Sequence, residues 1–117
     1  MRDVTKVFKA LSDETRLRIL SLLLVRECCV CEVMQVLAIS QSRASRNLNI
    51  LYDSGFLQVR REGLWSYYSL NPKQLKSFQS LLVNSVEVAL LKNKAIATDR
   101  AQLKDTKRLG PQCCSRT

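Results

Sequence analysis

Three cysteines within four positions, Cys28, Cys29 and Cys31, together with the adjacent pair Cys113 and Cys114, are the residues of this 117-residue chain best suited to chemistry. Thiolates bind soft and borderline ions. There is no histidine, which removes the commonest zinc, nickel and cobalt ligand as well as the usual general base. Few carboxylates lie near the cluster, so the pattern implies sulfur-only coordination. Trivalent arsenic and antimony take three thiolates in a pyramid, while cadmium, lead and zinc often want four ligands. Five cysteines are an odd number, and neighbours in sequence bridge each other only with strain. Clustering of this kind points to ion or redox chemistry in a reducing compartment rather than to a disulfide scaffold.

The spacing poses a geometric problem. Cys29 and Cys31 are i and i+2, which a regular helix directs to opposite sides. They can share an ion only if the first turn of the helix they begin unwinds, or if they lie just ahead of it. Cys28 and Cys31, at i and i+3, could share a face. Cysteine is also a small apolar residue that packs well, and Cys28 is the member of the trio best suited to packing or to an auxiliary ligand role. Cys113 and Cys114 are candidates for a third or fourth thiolate, from the same chain or a partner, for a second site, or for no role at all.

The elements that must position these residues follow from hydrophobic spacing. Val4, Val7, Phe8 and Leu11 recur at helical intervals. Ser12 is placed to cap a second helix with the stripe Leu17, Leu20, Leu23 and Leu24, and Asp13 and Glu14 complement its dipole. Val30, Val33, Met34 and Leu37 form a short third helix. After the connector Ala38-Ile39-Ser40, Ser40 caps a fourth whose inward positions are Ala44, Leu48 and Leu51, with Gly55 as its left-handed stop. Two short helices joined by about three residues are a helix-turn-helix. Leu57 and Val59 then alternate with Gln58 and Arg60, Glu62-Gly63 offers a turn, and Trp65 to Leu70 is rich in β-formers, predicting a β-hairpin. Asn71-Pro72 signals the start of a last helix with Leu75, Phe78, Leu82, Val86 and Ala89 on one face. Its apolar surface exceeds what so small a domain covers, so a second copy is the natural cover. The expected order is α-α-α-α-β-β-α: mainly α with a β-hairpin wing, a winged helix-turn-helix over residues 1–91, followed by a basic, weakly ordered tail over 92–117 that starts with helical character.

The outward face of the fourth helix presents Gln41, Ser42, Arg43, Ser45, Arg46 and Asn49, with no acidic residue before Asp53. Arginine pairs bidentately with guanine and glutamine with adenine, and the first turns of the second helix of this motif are where base contacts fall. Arg60 and Arg61 put cations near the hairpin tip for phosphates. Trp65, Tyr67 and Tyr68 are better placed to pack the base of the hairpin than to stack on bases. The formal charge of +9 is spread along the chain and favours a polyanionic partner. An enzyme is excluded for want of a nucleophile–base pair. The longest nearly apolar stretch, Leu17 to Val25, is too short to span a bilayer, and the start lacks a secretory apolar region, which implies the cytoplasm.

These residues together resemble the ArsR/SmtB family of metal-responsive repressors, most closely its arsenic sensors. The resemblance is carried by Phe8 to Leu20, Cys29-Val30-Cys31-Glu32-Val33, Ser40 to Leu48, Ser54 to Leu57, Arg60 to Gly63 and Tyr67 to Leu70. It implies a homodimer joined through first and last helices, bound to double-stranded operator DNA and released by an inducer, with As(III) or Sb(III) favoured and no organic cofactor. Cys29 and Cys31 are then the core ligands. Where such sensors have a further cysteine three residues later, this chain has Met34, and a thioether is a poor arsenic ligand. The third thiolate falls to Cys28, Cys113 or Cys114, or only two are used. Cadmium and lead sensors of the family recruit cysteines from an N-terminal extension, and only three residues precede Val4. Zinc and nickel sensors use histidines and acids on the last helix. A cadmium or lead sensor, and a thiol-redox or persulfide-responsive repressor using Cys28 and Cys31, are the alternatives.

Overall fold

A computed structural model describes residues 1–71, 73 and 75–108. Its elements are α1 (Arg2–Leu11), α2 (Glu14–Val25), α3 (Val30–Leu37), α4 (Gln41–Asp53), β1 (Gln58–Glu62), β2 (Trp65–Ser69), α5 (Ser77–Leu90) and α6 (Lys94–Leu103). The core lies where α2, α3 and α4 meet. Ile19, Leu20 and Leu22, Val30 and Val33, and Ala44, Leu48 and Leu51 are fully buried there, with Phe56 and Tyr68 closing it from the wing side. Each large apolar side chain sealed in this way contributes about 1.5–3 kcal/mol.

The helix starts show why the local sequence folds so. Asp13, not Ser12, caps α2: its carboxylate accepts from the Arg16 amide at 3.1 Å, while Ser12 closes the end of α1. Ser40 caps α4, its Oγ accepting from the Arg43 amide at 3.2 Å. Between α3 and α4 the chain reverses through Ala38 in the left-handed region, φ 54°, and Gly55 (φ 85°) makes the stop after α4. The wing is an antiparallel pair in which Val59 faces Tyr68, Arg60 faces Tyr67 and Arg61 faces Ser66.

Two helices depart from the expected pattern. α5 begins at Ser77 rather than at Asn71-Pro72. Asn71 instead closes a short turn, its Oδ1 accepting from the Lys73 amide at 3.0 Å, and Pro72 lies outside the described residues. The second departure is α6, which follows the expected seven elements and packs on α2 and α3. Ile96 and Leu103 are its buried apolar residues. Its anchor is a two-pronged ion pair in which Arg18 Nε and Nη2 donate to Asp99 at 2.8 and 2.9 Å. Arg100 adds bonds to the Ser21 carbonyl at 3.1 Å and to Glu87 of α5 at 2.7 Å. A helix with so few apolar residues is held by long-range polar contacts that local spacing does not register.

Candidate nucleic-acid interface and thiol site

Arg16 of α2 sets the position of α4. Its guanidinium donates to the carbonyls of Ala10 at 2.7 Å and Lys9 at 3.1 Å, and to Asn47 Oδ1 at 3.0 Å. Asn47 in turn donates to the Arg43 carbonyl at 2.9 Å. One buried-side amide thus ties α4 to α1 and α2, and this pairing had no signal in the spacing of α4 alone. With Ala44, Leu48 and Leu51 inward, the opposite face is left to water: Ser42, Arg43, Arg46 and Asn49 are exposed, Gln41 and Ser45 half-buried. Gln41, Ser42, Ser45, Arg46 and Asn49 line one shallow concavity of about 580 Å³ with Ile50 and Asp53. The face carries bidentate donors at the first three turns of the helix, the arrangement a major groove accepts.

The wing arginines are placed differently from one another. Arg61 is exposed, its Nη1 donating to Ser66 Oγ at 3.1 Å. Arg60 is drawn back toward α3. It pairs with Glu27 at 2.7 Å and with Glu62, and its guanidinium lies 4.5 Å from the centre of the Tyr67 ring. The hydrogen bond from Arg60 holds the Glu27 carboxyl below its usual range. Of the two, Arg61 is the one poised for phosphate, and Arg60 belongs to the wall of the thiol site.

That site is built at the start of α3. Cys29 is the N-cap, with extended backbone (φ −94°, ψ 169°), and Cys31 is the second helical residue. Because Cys29 stands ahead of the helix, no unwinding is needed to bring the two sulfurs together: Cys29 Sγ and Cys31 Sγ are 2.8 Å apart, both side chains fully buried. None of Cys28, Cys29 and Cys31 forms a disulfide. Cys29 and Cys31 share a small cluster with Tyr67, against which Trp65 packs. The rings of Trp65 and Tyr67 stack, 6.1 Å between centres. Both aromatic residues therefore serve the base of the wing, as does buried Tyr68.

Cys28 faces the other way. Its side chain belongs to the main core with Ile19 and Leu22, and burial pushes its thiol up to about 12. Its backbone does something else again. Cys28 N–H donates to the Tyr68 carbonyl at 3.0 Å, and Tyr68 N–H donates to the Cys28 carbonyl at 2.8 Å. The segment ahead of α3 is thereby stitched to the wing. The Cys28–Cys31 pairing suggested by their i, i+3 spacing is not formed, since the two side chains lie in separate clusters.

Glu32 organises the entrance, and composition gave no hint of it. Its carboxylate accepts from the Cys29 amide at 3.0 Å, completing the carboxylate half of a capping box. It also pairs with Arg26 at 2.7 Å and with Arg108 at 3.3 Å. Burial acts to raise this carboxyl, but Arg26, the Cys29 amide and Arg108 outweigh it and hold Glu32 below its usual range. Arg108 lies 4.6 Å from the Tyr67 ring centre, so the chain beyond α6 reaches the same ring that covers the thiols. Among the described residues no three His, Cys, Asp or Glu side chains converge as metal ligands. Cys113 and Cys114 lie outside the described residues.

A short α3, a tight turn, an α4 with a polar outer face and a two-stranded wing define a winged helix-turn-helix protein. Residues 13–59 match the family described as "Bacterial regulatory protein, arsR family". The chain is 43% identical over 96 residues to the arsenic resistance transcriptional regulator ArsR2 of Pseudomonas putida, covering 81% of this chain and 80% of that one. It is 40% identical over 97 residues to a cadmium resistance transcriptional regulatory protein CadC homolog of Staphylococcus aureus, covering 82% and 74%. Among solved structures, it superposes on a homodimeric winged helix-turn-helix DNA-binding domain from Mycobacterium bovis with a TM-score of 0.65 at 30% identity, over 80% of this chain and 82% of that one. The chain belongs to the ArsR family: it is a transcriptional repressor, not an enzyme. Among the described residues no helix is long and apolar enough to cross a membrane.

Proposed function

We propose that this repressor is a cytoplasmic homodimer that leaves its operator when Cys29 and Cys31 capture As(III) or Sb(III), switching on arsenic-resistance genes. The observation that carries the reading is the thiol pair, two buried sulfurs 2.8 Å apart at the N-cap of α3. A dithiol so pre-assembled suits a soft trivalent ion, and the absence of histidine leaves sulfur as the main soft donor. The arsenic-resistance relative supports the same inducer.

The residues around the pair supply the coupling. Cys29 caps α3, and α3 hands directly to α4 through Ala38. Cys28, one residue earlier, is bonded to β2 of the wing. Movement of the Cys29 and Cys31 sulfurs toward an ion therefore acts on both DNA-facing elements through one short segment, biasing a two-state element by a local event. Gln41, Ser42, Arg43, Ser45, Arg46 and Asn49 read the major groove, and Arg61 meets phosphate.

The apolar surface left open gives the dimer its seam. Val4 and Phe8 of α1 and Phe78, Leu81 and Val88 of α5 are exposed, and Phe8 meets Phe78 edge to face at 5.7 Å. A monomer in water does not gain from so continuous a face, whereas a second copy buries it.

The test is operator release in reducing buffer. Arsenite should release DNA from the native chain and have no effect on a Cys29→Ser/Cys31→Ser variant that still binds operator. Release by cadmium or by an oxidant, with none by arsenite, sinks the arsenic reading in favour of the corresponding alternative.

A further inference from the structure

Resting on that reading, we infer that the third thiolate of the site is Cys113 or Cys114 of the same chain, delivered to Cys29 and Cys31 by the strap that α6 forms. Three observations lead there. Cys28 is committed to the main core and the wing, away from the pair. Two sulfurs satisfy two of the three bonds that As(III) forms with thiolates. Finally, α6 is anchored at both ends. Asp99 grips Arg18, and beyond the helix Thr106 and Arg108 bond Glu32 at 3.3 Å each. The described chain thus ends beside the ring that covers the thiol pair, with the Arg108 guanidinium 4.6 Å from the Tyr67 centre.

Chain length does the rest. Cys113 is five positions and Cys114 six positions beyond Arg108. Five residues span at most about 17 Å, ample for a return to a ring that Arg108 already touches. The intervening Leu109-Gly110-Pro111-Gln112 carries no charge to oppose approach, and the glycine permits a sharp reversal. The reaction balances without redox change. Arsenous acid exchanges three hydroxides for three sulfurs: three As–O bonds break, three As–S bonds form, and the thiol protons leave with the hydroxides as three waters.

The experiment compares two probes on the full chain in reducing buffer: arsenite, which wants three thiolates, and phenylarsine oxide, which has only two positions to fill. The native chain should bind both. Cys113→Ser/Cys114→Ser should bind phenylarsine oxide as the native chain does and arsenite about 100-fold more weakly or worse, since a tethered ligand is worth about 10²–10⁴ in affinity. Both substitutions lie beyond α6, outside the packed elements. Unchanged arsenite binding by that variant overturns the inference while leaving the thiol-pair reading intact. A native chain that takes phenylarsine oxide but not arsenite overturns the arsenic reading itself. Dibromobimane, which bridges two nearby thiols, then tests the same-chain assignment. A cross-link between the peptides of Cys29 or Cys31 and Cys113 or Cys114 at monomer mass supports it, and the same link found only at dimer mass refutes it.

Discussion

The two ends of the helix-turn-helix are built on opposite principles. At the start of α3, every charged group near the thiols is already paired: Glu32 with Arg26 and Arg108, Glu27 with Arg60, both arginines of the wall on the Tyr67 ring. On the outer face of α4, Ser42, Arg43, Arg46 and Asn49 stand in water. The first region is a closed network that must be disturbed to act. The second is an open surface that must be left undisturbed to act. A switch needs both, because a ligand can bias an equilibrium only by what it changes.

Disabling the open side has the largest expected effect. Arg43→Glu/Arg46→Glu should weaken operator binding about 100-fold or more while leaving the unfolding curve in place, measured by anisotropy of labelled operator at fixed salt. Retained binding would move the DNA face away from α4. Asp99→Ala attacks the closed side through its strap. Asp99 is almost wholly buried against Arg18, so its loss should cost about 2 kcal/mol in denaturant unfolding and speed proteolysis beyond residue 103.

Glu32→Gln is the finer cut. The amide keeps an acceptor for the Cys29 amide but loses the charge that holds Arg26 and Arg108, a loss of about 1 kcal/mol at neutral pH once the arginines' partial exposure is allowed for. The native carboxyl titrates below its unfolded value. Its stabilisation is therefore complete above about pH 4.3, the ordinary glutamate value, and is lost as pH falls through the lower folded one. The stability gap between native chain and variant should stay level down to about pH 5 and narrow in acid. A gap that widens in acid contradicts the ion-pair account. Smallest is Ala38→Gly at the joint between the two regions. The left-handed φ of 54° costs alanine about 1–2 kcal/mol, and glycine's freer unfolded chain returns part of that, leaving a gain of about 0.5 kcal/mol. Operator affinity should not change.

The open side was largely legible in the sequence. Ser40 as cap, Ala44, Leu48 and Leu51 as inward stripe and Gly55 as stop are local signals, and together they orient the helix. The closed side was legible in its thiols and opaque in its geometry. Spacing treats Cys29 as a helical residue and separates it from Cys31, whereas an N-cap has extended backbone and turns its side chain back over the first turn. Glu32 looked like one more surface acid because its partners, Arg26 and Arg108, come from opposite ends of the chain. α6 was obscured for the same reason. Its charged residues read as tail, and Asp99 meets Arg18 across 81 positions.

The bridge between Cys28 and Tyr68 also gives the molecule a lever. The hairpin is an arm fixed at Tyr68 and ending at Gly63, five residues or about 16 Å away. A pivot of about 5° at the fixed end, the scale of a sulfur shifting by a bond's length at its base, sweeps the tip through roughly 1.4 Å on an arm of that length. Hydrogen bonds to phosphate do not survive displacements much larger than that. The gearing lies in where the fulcrum sits: next to the thiols, and far from the tip.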